Sequence, residues 1–197
     1  MIELLSEKPL AGLLSLPSKK KAAFMLLLYQ RMVPELRSFV LTRHQKFSYF
    51  QEASERFWSW LRDDSVCPWL ELRETLLSEL PDTEQFGTRE AYSALNCGLV
   101  AAELAGFLAD GRDSHIIDAI GYARDSLDAH ATPETELSMY DEQLEKRIEK
   151  DSLVEIERKA EEGDVVLLTT LPDPPWTANV LSLLQQRALA QTSMLGG

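Results

Sequence analysis

Between Asn96 and Asp110 the chain carries a single charge, Glu103, inside its most apolar segment. Tyr92, Leu95, Leu99, Ala102, Ala105, Gly106 and Leu108 recur there in steps of three and four, the period of a helix. Thr88 supplies an N-cap and Gly111 a C-terminal stop. A helix this apolar is stable only when other elements surround it, so residues 88–110 predict the central helix of an all-α bundle. A carboxylate buried in such a helix needs a cationic partner or a proton. An arginine such as Arg31 is the expected partner of Glu103.

Helical periodicity accounts for most of the remaining chain, with nine prolines and nine glycines as punctuation. Ser18 caps a helix bearing Phe24, Leu27, Leu28 and Met32, although Lys19, Lys20 and Lys21 sit poorly at its positive end. Pro34 is expected to end it and open a second short helix to about residue 42. Phe47, Phe50, Ser54, Phe57, Trp58 and Leu61 mark a third helix, and Pro68 starts a fourth with Trp69, Leu72, Leu76, Leu77 and Leu80. After the central helix, Asp113 or Ser114 caps one holding Ile116, Ile117, Ile120 and Leu127, and a charged helical run begins near Ser138. Residues 165–170 read as a β-branched strand or as part of a helix through Gly163. The spacing of Leu153, Ile156, Ala160, Gly163, Leu167 and Leu171 selects the helix, since a lone strand has no partner. Asp173 and Pro174 start the last helix. The expectation is one all-helical domain over residues 1–197, with about eight or nine helices around the central one.

Charge is uneven along the 197 residues, whose net is -12. Residues 1–62 are basic, with 10 bases and 5 acids, whereas residues 63–133 hold 4 bases and 14 acids. An acidic body repels phosphate backbones, so nucleic-acid binding requires the basic third to gather on one face. The acidic run from 134 to 164 reads as a solvated helix face. The longest apolar run, residues 22–29, is far shorter than the roughly 18 residues of a membrane span. Three lysines before it imitate a signal peptide, but too far from the first residue and without a small-residue exit. Cys67 and Cys97 are the only cysteines, and their spacing fits neither zinc nor a disulfide framework, which predicts a cytoplasmic protein.

Phosphate-binding glycine loops and the Gly-x-Ser-x-Gly elbow are absent from the sequence. No Glu-x-x-His pair occurs, which excludes the ferritin-type di-iron pattern. The nearest metal constellation is His115, Asp118, Tyr122 and Asp125, spaced along one helical face, with Glu103 able to complete it. Its simpler reading leaves Asp118 and Asp125 in solvent and His115 at a helix start. No catalytic, cofactor or metal residue is assigned. Six of the 16 aromatics fall within residues 47–60, interleaved with Arg43, Lys46, Arg56 and Arg62. Tyr49 and Trp60 cannot share the inner face of that helix with Phe47, Phe50, Phe57 and Trp58, so they face a protein partner or a second copy of the chain.

The segment Arg31-Met32-Val33-Pro34-Glu35-Leu36-Arg37-Ser38-Phe39 resembles the Arg-Met-x-Pro-Asn-Tyr-x-x-Phe segment of the bacterial family catalogued as domain of unknown function 416, the YjaG-like proteins. Leu80-Pro81-Asp82 with Phe86, and Tyr92-Ser93-Ala94 leading to Ala101-Ala102-Glu103-Leu104, are similar to its Pro-Asp loop and apolar helix. The resemblance implies a compact all-helical bacterial cytoplasmic protein and favours the helix through Gly163, but it supplies no catalytic residues. Glu35 and Leu36 depart from the family's Asn-Tyr pair. The leading expectation is a non-enzymatic interaction protein or homodimer acting through the surface near Tyr49 and Trp60. The alternatives are a metal-assisted hydrolase using His115, Asp118 and Glu103, and single-strand nucleic-acid binding through the basic N-terminal third.

Overall fold

The computed structural model describes residues 4–42, 48–82, 84, 86–131 and 149–195. Regular structure among them is helical throughout, in eight helices: α1 Glu7–Leu14, α2 Ser18–Thr42, α3 Ser48–Asp63, α4 Trp69–Ser78, α5 Arg89–Asp110, α6 Ser114–Ala131, α7 Ser152–Thr170 and α8 Ala178–Leu195. The charged run expected near Ser138 lies outside the described residues, as do Arg43, His44, Lys46 and Phe47.

α5 is the axis. Its N-cap is Thr88, whose side chain accepts from the Ala91 N–H, and its stop is Gly111 at φ 71°, whose N–H donates to the Phe107 carbonyl. It packs mainly on α2, α4 and α6, and these close around one continuous apolar core. Of the expected face, Ala102, Ala105 and Gly106 are buried, but Tyr92 is exposed and Leu95, Leu99 and Leu108 are half-buried, whereas Ala91, Ala94, Cys97, Gly98 and Ala101 are buried as well. Small side chains let neighbouring helices approach on several sides, which large ones prevent. α5 is also long and apolar enough to cross a membrane, but 78% of its apolar window is buried inside the protein.

α2 continues through Pro34 instead of breaking there. The proline removes one donor, but Leu27, Leu28, Met32, Leu36 and Phe39 are buried on both sides of it, and their burial outweighs the roughly 3 kcal/mol cost of an interior proline. The three lysines at its start are clamps. Lys19 binds Asp64 at 2.7 Å, Lys20 the Leu171 carbonyl at 2.7 Å and Asp173 at 3.1 Å, and Lys21 Asp113 at 2.8 Å. One helix end thus holds the connections α3–α4, α5–α6 and α7–α8.

α7 runs through Gly163 as a helix, capped by the Asp151 carboxylate on the Leu153 N–H. α8 begins at Ala178 rather than at Asp173. Asp173 is engaged by Lys20, and Trp176 is buried with its indole N–H donating to the Pro172 carbonyl at 2.9 Å, so residues 172–177 form a packed connection. α1, which periodicity did not reveal, is anchored by the buried Leu13.

Candidate functional site

Arg31 does not reach Glu103. It is buried where α2 meets α7, its Nε donating to Glu157 Oε1 at 2.7 Å and its Nη1 to Asp164 Oδ2 at 2.5 Å. Arg187 of α8 donates to the other Asp164 oxygen at 2.8 Å. Glu161 lies among them, with 0% exposure and no hydrogen-bond partner on either oxygen. The solvated face expected for the acidic run from 134 to 164 is corrected at three residues: Glu157, Glu161 and Asp164 point inward, because α2 presents a guanidinium to that side of α7, while residues 134–148 lie outside the described residues. Burial works against the charge on Arg31, but Glu157, Asp164 and Glu161 together hold it well above its ordinary range. Burial raises the Glu157 carboxyl against the pull of Arg31, and raises Glu161 much further, helped by the Glu157 charge.

Glu103 is buried as expected, with different partners. Its Oε2 is hydrogen-bonded to His115 Nδ1, and Arg73 Nη2 donates to its Oε1 at 3.2 Å. His115 Nε2 approaches Asp110 at 3.3 Å. The Arg112 backbone N–H, with the Arg112 side chain and His115, lowers the Asp110 carboxyl to about 2. Gly106 makes room for the imidazole, since a Cβ there would stand 2.6 Å from it. Asp118 and Asp125 are exposed on α6, so they do not join Glu103 and His115. No three His, Cys, Asp or Glu among the described residues are placed to hold a metal ion. This cluster ties α4, α5 and α6 together.

The open site lies elsewhere. A cleft of about 330 Å³ between α2, α5 and α6 is lined by Glu35, Ser38, Phe39, Thr42, Thr88, Glu90, Ser93 and His130. A smaller cavity of about 70 Å³ adjoins it, lined by Met32, Ser126, Leu127, Leu153 and Glu157 among others, and Glu35 and His130 line both. His130 Nε2 lies 2.8 Å from Ser93 Oγ and 3.3 Å from Glu35 Oε1. Both contacts fall on the same ring nitrogen and Ser93 is wholly buried, so this is no nucleophile relay through the two nitrogens. The hydrogen bond to Glu35 raises the His130 pKa, against burial and the charge of nearby Arg89 and with help from Glu90. Glu35 Oε2 is buried and has no hydrogen-bond donor. Glu35 stands out in the sequence only as a departure from a family segment, and nothing in the sequence around His130 marks it. Their meeting depends on the crossing of α2 and α6.

Tyr49 and Trp60 are both half-buried, and Trp60 packs on the core with Lys19 Nζ 5.5 Å from its ring centroid. Among the described residues near this helix in sequence, Leu41, Val66 and Leu70 are exposed apolar side chains. In the basic third, Lys19, Lys20, Lys21 and Arg31 are bound to carboxylates.

Together these features define an all-α protein with a buried ionic joint and a separate polar cleft. Residues 10–196 match the family described as Protein of unknown function (DUF416), and the chain belongs to it. The fold is similar to the crystal structure of a DUF416 family protein from Shewanella baltica OS155, with a TM-score of 0.80 at 17% identity over 92% of this chain and 93% of that one. No curated protein matches the chain.

Proposed function

We propose that the protein binds a small organic cation in the cleft between α2, α5 and α6, with Glu35 as counter-charge. The observation that carries this reading is the buried Glu35 Oε2, which lacks a donor in a side chain lining both cavities. A buried acceptor without a donor costs about 1–3 kcal/mol, and a ligand ammonium supplies both the donor and the charge. Glu90 adds a second carboxylate to the lining, Ser38, Thr42 and Thr88 add hydroxyls, and Phe39 gives an apolar wall. The volume suits a small metabolite, being at the low end of the roughly 300–1,000 Å³ of small-molecule pockets. The free thiols of Cys67 and Cys97 fit a bacterial cytoplasmic setting.

Calorimetric titration with butylammonium, butanol and butyrate, alike in size and different in charge, tests the reading. The ammonium is expected to bind at least about tenfold tighter than the alcohol, and Glu35→Gln to remove that advantage, as the loss of a charged hydrogen bond requires. Equal binding of all three, or an unaffected Glu35→Gln protein, contradicts it.

A second reading retains the interaction protein, a homodimer formed through the surface near Tyr49 and Trp60. Exposed Val66 and Leu70, in the α3–α4 connection and the first turn of α4, add apolar surface to the same helical pair. Sedimentation equilibrium is expected to show a dimer that Tyr49→Ser with Leu70→Ser dissociates. A monomer at every concentration ends this reading.

A further inference from the structure

The joint between α2, α7 and α8 is unbalanced in charge. Two guanidiniums, Arg31 and Arg187, meet three carboxyl groups, and the direct ion pairs go to Glu157 and Asp164. Glu161 lies one helical turn from each of these and is left over, fully buried, with neither oxygen hydrogen-bonded. Neither guanidinium hydrogen-bonds it where it stands: Arg31 donates to Glu157 and Asp164, and Arg187 donates to Asp164. An ionised carboxylate in that position would give the joint an uncompensated negative charge. Burying such a charge is so unfavourable that a group in this setting neutralises instead.

We propose that Glu161 is held as the neutral carboxylic acid and acts as a proton-dependent catch on the joint between α2, α7 and α8. With the proton in place the joint is neutral: two guanidiniums, two carboxylates and one carboxylic acid. When the proton leaves to water, the new carboxylate must either reach solvent or take a guanidinium from Glu157 or Asp164, and both movements loosen α7 from α2. Glu157 and Leu153 of α7 also line the inner cavity beside His130, so loosening this helix alters the binding cleft.

Burial is the first cause that keeps Glu161 protonated, and the charges around it divide three against one. Glu157, Asp164 and Glu162 on α7 oppose its ionisation, and Arg31 from α2 is the cation that favours it. Arg187 from α8 is bound to Asp164. On α1, Glu7 and Lys8 are exposed, and on α6 Asp125 and Asp128 are exposed while Arg124 and His130 are partly buried, Arg124 being paired with Asp125. Because the folded state favours the protonated form, the stabilisation is complete below the carboxyl's unfolded pKa and is lost as pH rises through its higher folded value.

Infrared spectroscopy of the full chain at neutral pH tests the proposal through the C=O stretch of a protonated carboxyl. The band is expected in the wild type and absent from both Glu161→Gln and Glu161→Met, which are neutral and of similar length. The urea midpoint of the wild type should also fall relative to either variant between neutral and alkaline pH. A wild-type spectrum without the band, a band that persists in a folded variant, or midpoints that run parallel with pH would overturn it. If one variant does not fold, the other and the wild-type spectrum still decide.

Discussion

At the scale of single residues, the largest effects belong to charges that the fold has taken out of water. Arg31→Met strands Glu157 in the interior and leaves Asp164 with Arg187 alone, and should lower the unfolding free energy by about 3–5 kcal/mol, read from urea denaturation. Restoring neutrality with Glu157→Gln in the same chain, which leaves Asp164 paired with Arg187, should recover part of that loss. Gly106→Ala drives a methyl into the His115 ring and is expected to cost about 1–3 kcal/mol, measured in the same way. For His130 the folded pKa lies above the ordinary imidazole value of 6.5, chiefly through the Glu35 hydrogen bond. The stability from that pair is therefore full below about 6.5 and declines as pH rises through the folded value. An NMR titration should show the His130 pKa falling in Glu35→Gln. Sequence reasoning identified Glu103 as a buried charge because it was alone among apolar residues, yet it chose the wrong arginine. The rule that a buried charge has a partner says nothing about which distant side chain supplies it. Glu157, Glu161 and Asp164 were hidden because acids in a charged run look solvated until the facing helix is known to carry Arg31.

Among the elements, the helices with complete local signals were legible. α5 has a Thr cap, a Gly stop and an apolar period, and α7 kept its three-four spacing through Gly163. α2 was misread at Pro34, since local rules weigh one missing donor and not the packed residues on either side. Pro34→Ala should accordingly preserve the fold and raise the urea midpoint, by at most about 3 kcal/mol in free energy. Thr88→Ala removes the acceptor for the Ala91 N–H and should destabilise α5 by about 1 kcal/mol. Tyr92, Leu95 and Leu99 were misassigned to the buried face of α5 for a related reason, while Ala102, Ala105 and Gly106 were placed correctly. Periodicity weights the largest apolar side chains, whereas close approach of α2, α4 and α6 selects alanine and glycine. Lys19, Lys20 and Lys21 looked unfavourable at a helix start because their partners come from three connections far away in sequence.

For the whole molecule, the all-helical class and the central helix could be read from composition and period, because an apolar helix of this length must be enclosed. The cleft could not, since it arises where α2, α5 and α6 diverge and its polar residues come from three separate segments. The buried joint and the cleft share α2, with Arg31 on one and Glu35 on the other, one helical turn apart. The claim that this fold presents Glu35 to a small cation is tested most directly by the His130 pKa, measured by NMR with and without saturating butylammonium. A cation at Glu35 competes with the imidazolium for the same carboxylate, so the account predicts that the ligand lowers the His130 pKa. A pKa unchanged by butylammonium would contradict it.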